Sequence, residues 1–150
     1  MLKRILAATD FSANADSAWR FALELATSVN GELLLLHVMT PLGATGPVEV
    51  QQDHERRAAV ARRLLAERAA QATSAALDVK TIVGRGDPAE VIAATAHQER
   101  VDVIVVGTHG HRESADVLIG SVAERVLRRA PCTVIIGKPT PTNAAGSEAA

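Results

Sequence analysis

Two glycine-containing segments in the C-terminal half have the residue types and spacing of a phosphate site. The first runs from Gly107 to Gly110 (GTHG), and Gly120 and Ser121 follow after nine further residues. Glycine lets the backbone approach an anion closely and adopt positive φ. The N–H groups and dipole at a helix start attract negative charge, and Ser121 opens a helical pattern. The alternative is a glycine turn followed by an ordinary capping box, in which Ser121 pairs with Glu124.

The elements that must position these segments alternate between apolar runs and helical patterns. Strands are expected at Ile5–Ala8, Glu32–Met39, Asp78–Val83, Val101–Val106 and Thr133–Ile136. Helices are expected from a cap at Ser12 or Asn14 to Val29, from about Val50 to Ser74, from Asp87 to about Glu99, and from Ser121 to Arg129. This alternation predicts an α/β fold with a parallel sheet covered by helices on both faces. We expect one domain over residues 1–138, followed by a flexible tail over 139–150.

Ligands of such sheets bind at the carboxyl ends of the strands. The segments expected there are Thr9–Asp10, His37–Thr40 and Gly107–Gly110. The Asp10 carboxylate can bind ribose hydroxyl groups, as acids do in related sheets. Its alternative role is that of a helix-start acid beside Ser12.

Two other patterns resemble binding motifs but give weaker evidence for a binding site. Gly84-Arg85-Gly86 opens a G-x-G-x-x-A match, but Asp87 would put a carboxylate where a phosphate should lie, so a tight turn is favoured. His109 and His111 form an H-x-H pair with no clear third ligand, so no metal site is predicted.

Three further sets of residues are given structural roles. His37 interrupts an apolar strand and is interpreted as a satisfied core histidine, and Cys132 as a small packing residue. The arginines of the second helix are interpreted mostly as a solvated face. They are Arg56, Arg57, Arg62, Arg63 and Arg68.

Composition narrows the classes of function. The chain has 150 residues, a formal charge of −1 and three aromatic side chains (Trp19, Phe11 and Phe21). Neither the charge nor the aromatic content favours nucleic-acid binding. No apolar run is long enough for a signal peptide or a membrane span, and Cys132 is alone, so a cytoplasmic protein is expected. No convincing catalytic triad or carboxylate pair is visible, so an efficient enzyme is not supported.

Three segments together resemble the universal stress protein family. They are Ile5–Ser12 (ILAATDFS), the glycine segments with Gly120–Val126 (GSVAERV), and Ala130–Val134 (APCTV). The glycine spacing G-x2-G-x9-G-S resembles the ATP-binding signature of that family. The resemblance covers nearly the whole chain.

The resemblance implies a Rossmann-like five-stranded sheet of order 3-2-1-4-5, of the adenine nucleotide alpha hydrolase-like kind. It also implies a homodimer that pairs through the last strand, Thr133–Ile136. The implied ligand is ATP, or AMP or another adenine nucleotide, with Mg²⁺, and with at most slow hydrolysis. The implied binding residues are Thr9, Asp10, Val38, Gly107, His109, Gly110, Gly120, Ser121 and Val122. Of these, Asp10 would hold the ribose with Gly107 near it, and the Val38 backbone would hold the adenine. Gly110, Gly120 and Ser121 would hold the phosphates.

The chain departs from the family between the two glycine segments. Glu113 and Asp116 can repel the β- and γ-phosphates if they face the site, and Arg112 or a protonated His111 can offset them. AMP or a cyclic nucleotide therefore stays open as the ligand. Two other functions also stay open: a nucleotide-independent dimeric interaction module and a slow ATPase.

Overall fold

The computed structural model describes residues 1–41, 47–109 and 119–138, in which strands and helices alternate. The strands are β1 Arg4–Ala8, β2 Glu32–Met39, β3 Val79–Arg85, β4 Val103–Gly107 and β5 Thr133–Gly137. The helices are α1 Ala13–Val29, α2 Pro47–Thr73, α3 Pro88–Gln98 and α4 Ser121–Arg129. The predicted tail, 139–150, lies outside the described residues, as do residues 42–46 and 110–118.

All strand pairs are parallel and the order is β3-β2-β1-β4-β5, which confirms the expected sheet. The central strand β1 pairs on one side with β2, where Ile5 is in register with Leu33, and on the other with β4, where Ile5 is in register with Val103. β2 and β3 therefore lie on one side of β1, and the chain then crosses to the other side of β1 to add β4 and β5. The carboxyl ends of β1, β2 and β4 form a topological switch point, where ligands of open α/β sheets bind.

Each face of the sheet packs against its own pair of helices. Trp19 of α1 and Leu65 of α2 are buried with Leu35 on one face. Ile92 of α3 and Val126 of α4 belong to the core of the other face. Because β2 is buried on both faces, its side chains form a continuous apolar run rather than an alternating one.

The ends of α1 follow from local hydrogen bonds and one close contact. Ser12 is the N-cap, and its Oγ accepts a hydrogen bond from the Ala15 N–H at 3.2 Å. At the other end, Asn30 takes the left-handed conformation, with φ 51°. Gly31, which follows it, is needed for space, because a Cβ there would lie 2.7 Å from the Lys3 carbonyl oxygen.

Three element boundaries differ from the prediction by two residues or more, and several others by one. β3 continues through Gly84 and Arg85, which were expected in a turn, because Gly84 stays in register with Val38. β4 begins at Val103 rather than Val101, and α2 begins at Pro47 rather than near Val50. Within the described parts of the chain, no helix has the length and apolar character needed to cross a membrane.

Candidate functional site

A cavity of about 420 Å³ lies at the carboxyl ends of β1, β2 and β4. This volume is within the range of small-molecule sites. The predicted binding residues that line it are Thr9, Asp10, Val38, Gly107, His109, Gly120, Ser121 and Val122. Gly110, the remaining predicted residue, lies outside the described residues, as do His111, Arg112, Glu113 and Asp116.

The loop after β1 is held by short-range hydrogen bonds that orient Asp10. The Ser12 N–H donates to Asp10 Oδ1 at 3.0 Å, and the Phe11 N–H donates to Thr9 Oγ1 at 3.0 Å. Phe11 has φ 66°, a conformation that costs free energy for an aromatic residue and persists only where the surroundings enforce it. Here the Thr9 N–H also donates to the Leu36 carbonyl at 2.8 Å, which anchors the loop to β2.

The two glycine segments meet at the start of α4. The Gly120 N–H donates to the Thr108 carbonyl at 2.6 Å. Gly120 is the N-cap and Ser121 is the first helical residue, so the capping box considered from the sequence, with Ser121 as its cap, is not formed. The first-turn N–H groups of a helix have no acceptor within the helix, so the start of α4 presents backbone donors to the cavity that the end of β4 also lines.

Gly107 is required by close packing rather than by a special backbone conformation. Its φ does not lie in the left-handed region, and Gly86 is the described glycine that does, at φ 130°. A Cβ on Gly107 would lie 3.0 Å from the Asn14 carbonyl oxygen and 3.3 Å from the Ala15 nitrogen. The end of β4 therefore presses against the first turn of α1, beside the loop that carries Asp10.

His37 is hydrogen-bonded, as expected, but it is half-buried rather than a core residue, and it lines the cavity. Its Nδ1 lies 2.8 Å from the Thr9 carbonyl oxygen, which can only accept, so Nδ1 carries a hydrogen. The ring lies 4.5 Å from the Phe11 ring, centroid to centroid. Burial lowers the pKa of His37 below 6.5, and the Arg57 charge adds to this effect, while the bond to Thr9 and the Asp10 charge oppose it.

This lowered pKa predicts a loss of stability in mild acid. Below about pH 6.5 the unfolded chain protonates this histidine while the native protein resists doing so. The free energy of unfolding should therefore fall from pH 7.5 to 5.5, and His37→Gln should flatten that dependence. Urea unfolding at the two pH values measures it. The matched control is His97→Gln on the exposed side of α3, and an equal pH dependence in both variants would contradict the assignment.

Arg57 lines the cavity, although the sequence predicts a mostly solvated face for the arginines of α2. Arg56, Arg62 and Arg63 are exposed as expected, whereas Arg57 and Arg68 turn inward. The signal for this was the helical spacing, since both arginines lie three or four residues from Ala61 or Leu65, which are buried. The guanidinium of Arg68 lies 4.9 Å above the Phe11 ring and bonds to Asp16 at 2.8 Å.

The start of α3 is already occupied by a side chain of the protein itself. The Asp87 carboxylate accepts from the Glu90 N–H at 3.1 Å and from both Arg125 Nη atoms, at 2.8 and 2.7 Å. The hydrogen bonds from Arg125 are the main reason that the pKa of Asp87 is lowered. The Gly84–Gly86 segment is therefore not a phosphate site, as the sequence analysis concluded.

A direct metal site is not evident in the parts of the chain that the structure describes. No group of three or more His, Cys, Asp or Glu side chains lies close enough there to hold a metal ion. Cys132 is partly buried against the core between the sheet and α4, and burial raises the pKa of its thiol. A thiol of this kind is a poor nucleophile, which fits its interpretation as a packing residue.

Comparisons with known proteins agree with this geometry. A universal stress protein of Thermus aquaticus is 32% identical over 137 residues, covering 91% of this chain and 98% of that protein. The structure of UspA from Lactobacillus plantarum superposes with a TM-score of 0.83 at 27% identity, over 90% of this chain and 97% of that one. A universal stress protein in complex with cAMP has a TM-score of 0.71 at 24% identity, over 93% of this chain and 98% of that one.

The family-level match spans both the sheet and the cavity. The sequence pattern of the universal stress protein family matches residues 1–138, which include every described residue that lines the cavity. The chain belongs to the universal stress protein family.

Proposed function

We propose that this protein binds an adenine nucleotide, with ATP favoured, at the carboxyl ends of β1, β2 and β4. In this role it acts as a nucleotide-dependent stress-response factor. The observation that carries the proposal is the hydrogen bond from the Gly120 N–H to the Thr108 carbonyl at 2.6 Å. That bond joins the end of β4 to the start of α4, so that the first-turn N–H groups of α4 lie at the cavity that Asp10 also lines.

The phosphates are assigned to the start of α4. The N–H groups of Ser121 and Val122 belong to its first turn, where the helix dipole adds to the attraction for an anion. His109 lines the same end of the cavity, and its Nδ1 lies 3.1 Å from Thr108 Oγ1. A Mg²⁺ ion would accompany a triphosphate, held mainly by phosphate oxygens and water.

The nucleoside is assigned to the β1 and β2 side of the cavity. Asp10 is expected to accept hydrogen bonds from the ribose, because it lines the cavity and a carboxylate can accept several hydrogen bonds. Ala8, Leu36 and Ile92 supply apolar walls for the base, and the Val38 backbone lies at the edge where adenine can be recognised.

The complex with cAMP shows that a protein of this fold accommodates an adenine nucleotide. Because that protein is only 24% identical to this chain, the comparison supports a shared fold and nothing more. The assignment here therefore rests on this chain's own cavity residues, and a cyclic nucleotide or AMP is kept in the test beside ATP.

The proposal includes a homodimer that pairs through β5. This strand forms one edge of the sheet, with β4 as its neighbour. Val134, Ile135 and Ile136 are only partly buried within one chain. An apolar edge strand is a liability unless something covers it, and a second copy of β5 would do so.

The decisive measurement is a titration of the purified protein with Mg-ATP, AMP, cAMP and GTP, followed by thermal unfolding. A ligand at 100 times its Kd stabilises by about 2.7 kcal/mol, or roughly 5–11 °C for a domain of this size. A shift with adenine nucleotides and none with GTP supports the proposal. No shift with any of them would favour the nucleotide-independent interaction module instead.

Asp10→Asn should weaken binding of the preferred nucleotide about tenfold or more, because a charge-assisted hydrogen bond to the ribose is lost. The amide oxygen still accepts from the Ser12 N–H, so the loop and the melting temperature of the free protein should be nearly unchanged. The matched control is Asp78→Asn, which removes the same charge at an exposed position before β3, at the opposite edge of the sheet. Equal affinities in the two variants would count against the ribose assignment.

A further inference from the structure

Arg57 reaches from α2 into the cavity with a donor that the described residues do not satisfy. Its Nη1 atom is buried and makes no hydrogen bond with the described part of the chain. The same atom forms an ion pair with Asp53 Oδ2 at 3.9 Å, which is beyond hydrogen-bond distance. Overall the side chain is 26% exposed, so the guanidinium is partly withdrawn from water. A buried donor of this kind costs free energy until an acceptor reaches it.

Arg57 lies away from the end of the cavity that is proposed to hold the phosphates. The helix α2 packs against β2 and β3, whereas the glycine segments lie at the end of β4. β1 separates β2 from β4, so with strands about 4.8 Å apart the two ends of the cavity are on the order of 10 Å apart. Arg57 therefore belongs to the nucleoside end, where Asp10 and His37 also lie.

At the nucleoside end of the cavity, Asp10 and Arg57 offer complementary hydrogen-bonding groups, an acceptor and a donor. The charges of both residues act on the His37 ring, which lies between the end of β2 and the loop after β1. A ribose hydroxyl has one hydrogen to donate and two lone pairs to accept with. A carboxylate can take only the hydrogen, and a guanidinium can fill only the lone pairs, so the pair can satisfy the same hydroxyl groups completely.

We propose that Arg57 is a ligand-binding residue that donates hydrogen bonds to the ribose hydroxyl oxygens of the bound nucleotide, beside Asp10. This inference rests on the proposed nucleotide function. It assigns recognition of the ribose edge to α2, in addition to the loop after β1. The guanidinium is not part of the phosphate site, and its contribution to affinity does not depend on the number of phosphates.

The test compares Arg57→Met with Arg56→Met, using AMP, 2′-deoxy-AMP, 3′-deoxy-AMP and ATP as probes in calorimetric titrations. Methionine keeps the length of the apolar stem and removes the donors. Arg56 precedes Arg57 on α2 and is exposed, so its replacement makes the same charge change away from the cavity. Thermal unfolding of both free variants verifies that they are folded.

Arg57→Met should lower the affinity for AMP and for ATP by the same factor, about tenfold, while Arg56→Met leaves both unchanged. The preference of the unmodified protein for AMP over at least one deoxy analogue should shrink in Arg57→Met. Unchanged AMP affinity would overturn the proposal. A larger loss of affinity for ATP than for AMP would indicate that Arg57 contacts the phosphates. An equal loss of affinity for AMP and both deoxy forms would indicate that it contacts the base. Either result overturns the ribose assignment.

The outcome is separable from that of the proposed function. If the unmodified protein binds none of the probes, the nucleotide function itself fails. If it binds AMP or ATP and Arg57→Met binds them equally well, only the role of Arg57 fails.

Discussion

Replacing Trp19 by alanine is expected to lower the free energy of unfolding by about 3–5 kcal/mol. Trp19 is 1% exposed and packs in the core between the sheet and α1 and α2, together with Leu35 and Leu65. Its Nε1–H also donates to Gln71 Oε1 at 2.9 Å, which ties α1 to α2. The substitution leaves a cavity and removes this hydrogen bond. Thermal unfolding followed by circular dichroism should show a melting temperature lower by roughly 6–20 °C.

The matched control for this prediction lies on the same helix. Phe21 is also an aromatic residue of α1, but its side chain is 42% exposed. Phe21→Ala should change the free energy of unfolding far less than Trp19→Ala, since little buried volume is removed. Similar losses in the two variants would mean that α1 does not pack on the sheet through the face that carries Trp19.

Gly107→Val is expected both to destabilise the protein by about 1–3 kcal/mol and to lower nucleotide affinity by more than tenfold. A Cβ at this position would meet the Asn14 carbonyl oxygen at 3.0 Å, and backbone atoms cannot swing aside as a side chain can. The first turn of α1 must then move away from β4, and the adjoining Asp10 loop moves with it. Urea unfolding gives the stability, and calorimetric titration with the preferred nucleotide gives the affinity.

A graded series distinguishes this mechanism from a general effect of substitution. Gly107→Ala adds only the Cβ, so its losses of stability and of affinity should be smaller than those of Gly107→Val and in the same direction. A Gly107→Val protein with unchanged melting temperature and affinity would show that β4 and α1 are not in close contact at this point. Trp19, the sole tryptophan, supplies a fluorescence signal for unfolding in both variants.

Most of the residues that line the cavity could be predicted from the sequence, because parallel sheets bind their ligands at the carboxyl ends of the strands. Asp10 follows β1, Val38 lies near the end of β2, and Gly107 ends β4, so strand boundaries alone bring the three together. The physical reason for Gly107 was not predictable in the same way. A glycine at a strand end is expected to free the backbone, whereas here it admits the first turn of α1, which is distant in sequence.

Gly84 illustrates the same limit in another element. The sequence predicts a turn that contains it and Gly86, since two glycines separated by one residue are typical of turns. Gly86 does turn, with φ 130°, but Gly84 stays paired within the sheet. A Cβ on Gly84 would lie 2.6 Å from a methyl group of Val91, so this glycine is required by the packing of α3 on the sheet. Such a contact is invisible to local patterning.

The sequence by itself determined the fold class, the family and the predicted set of cavity residues. The fold class follows from hydrophobic periodicity and helix caps, whereas the family and the binding residues follow from the resemblance of three segments, the glycine segments among them, to the universal stress protein family. Tertiary structure decided which arginines of α2 face the cavity and why a side chain at Gly107 or Gly84 would displace its neighbours. It also joined Thr108 to Gly120 across the intervening segment. These depend on contacts between elements far apart in sequence, where the orientation of one helix against the sheet decides which side chains are buried.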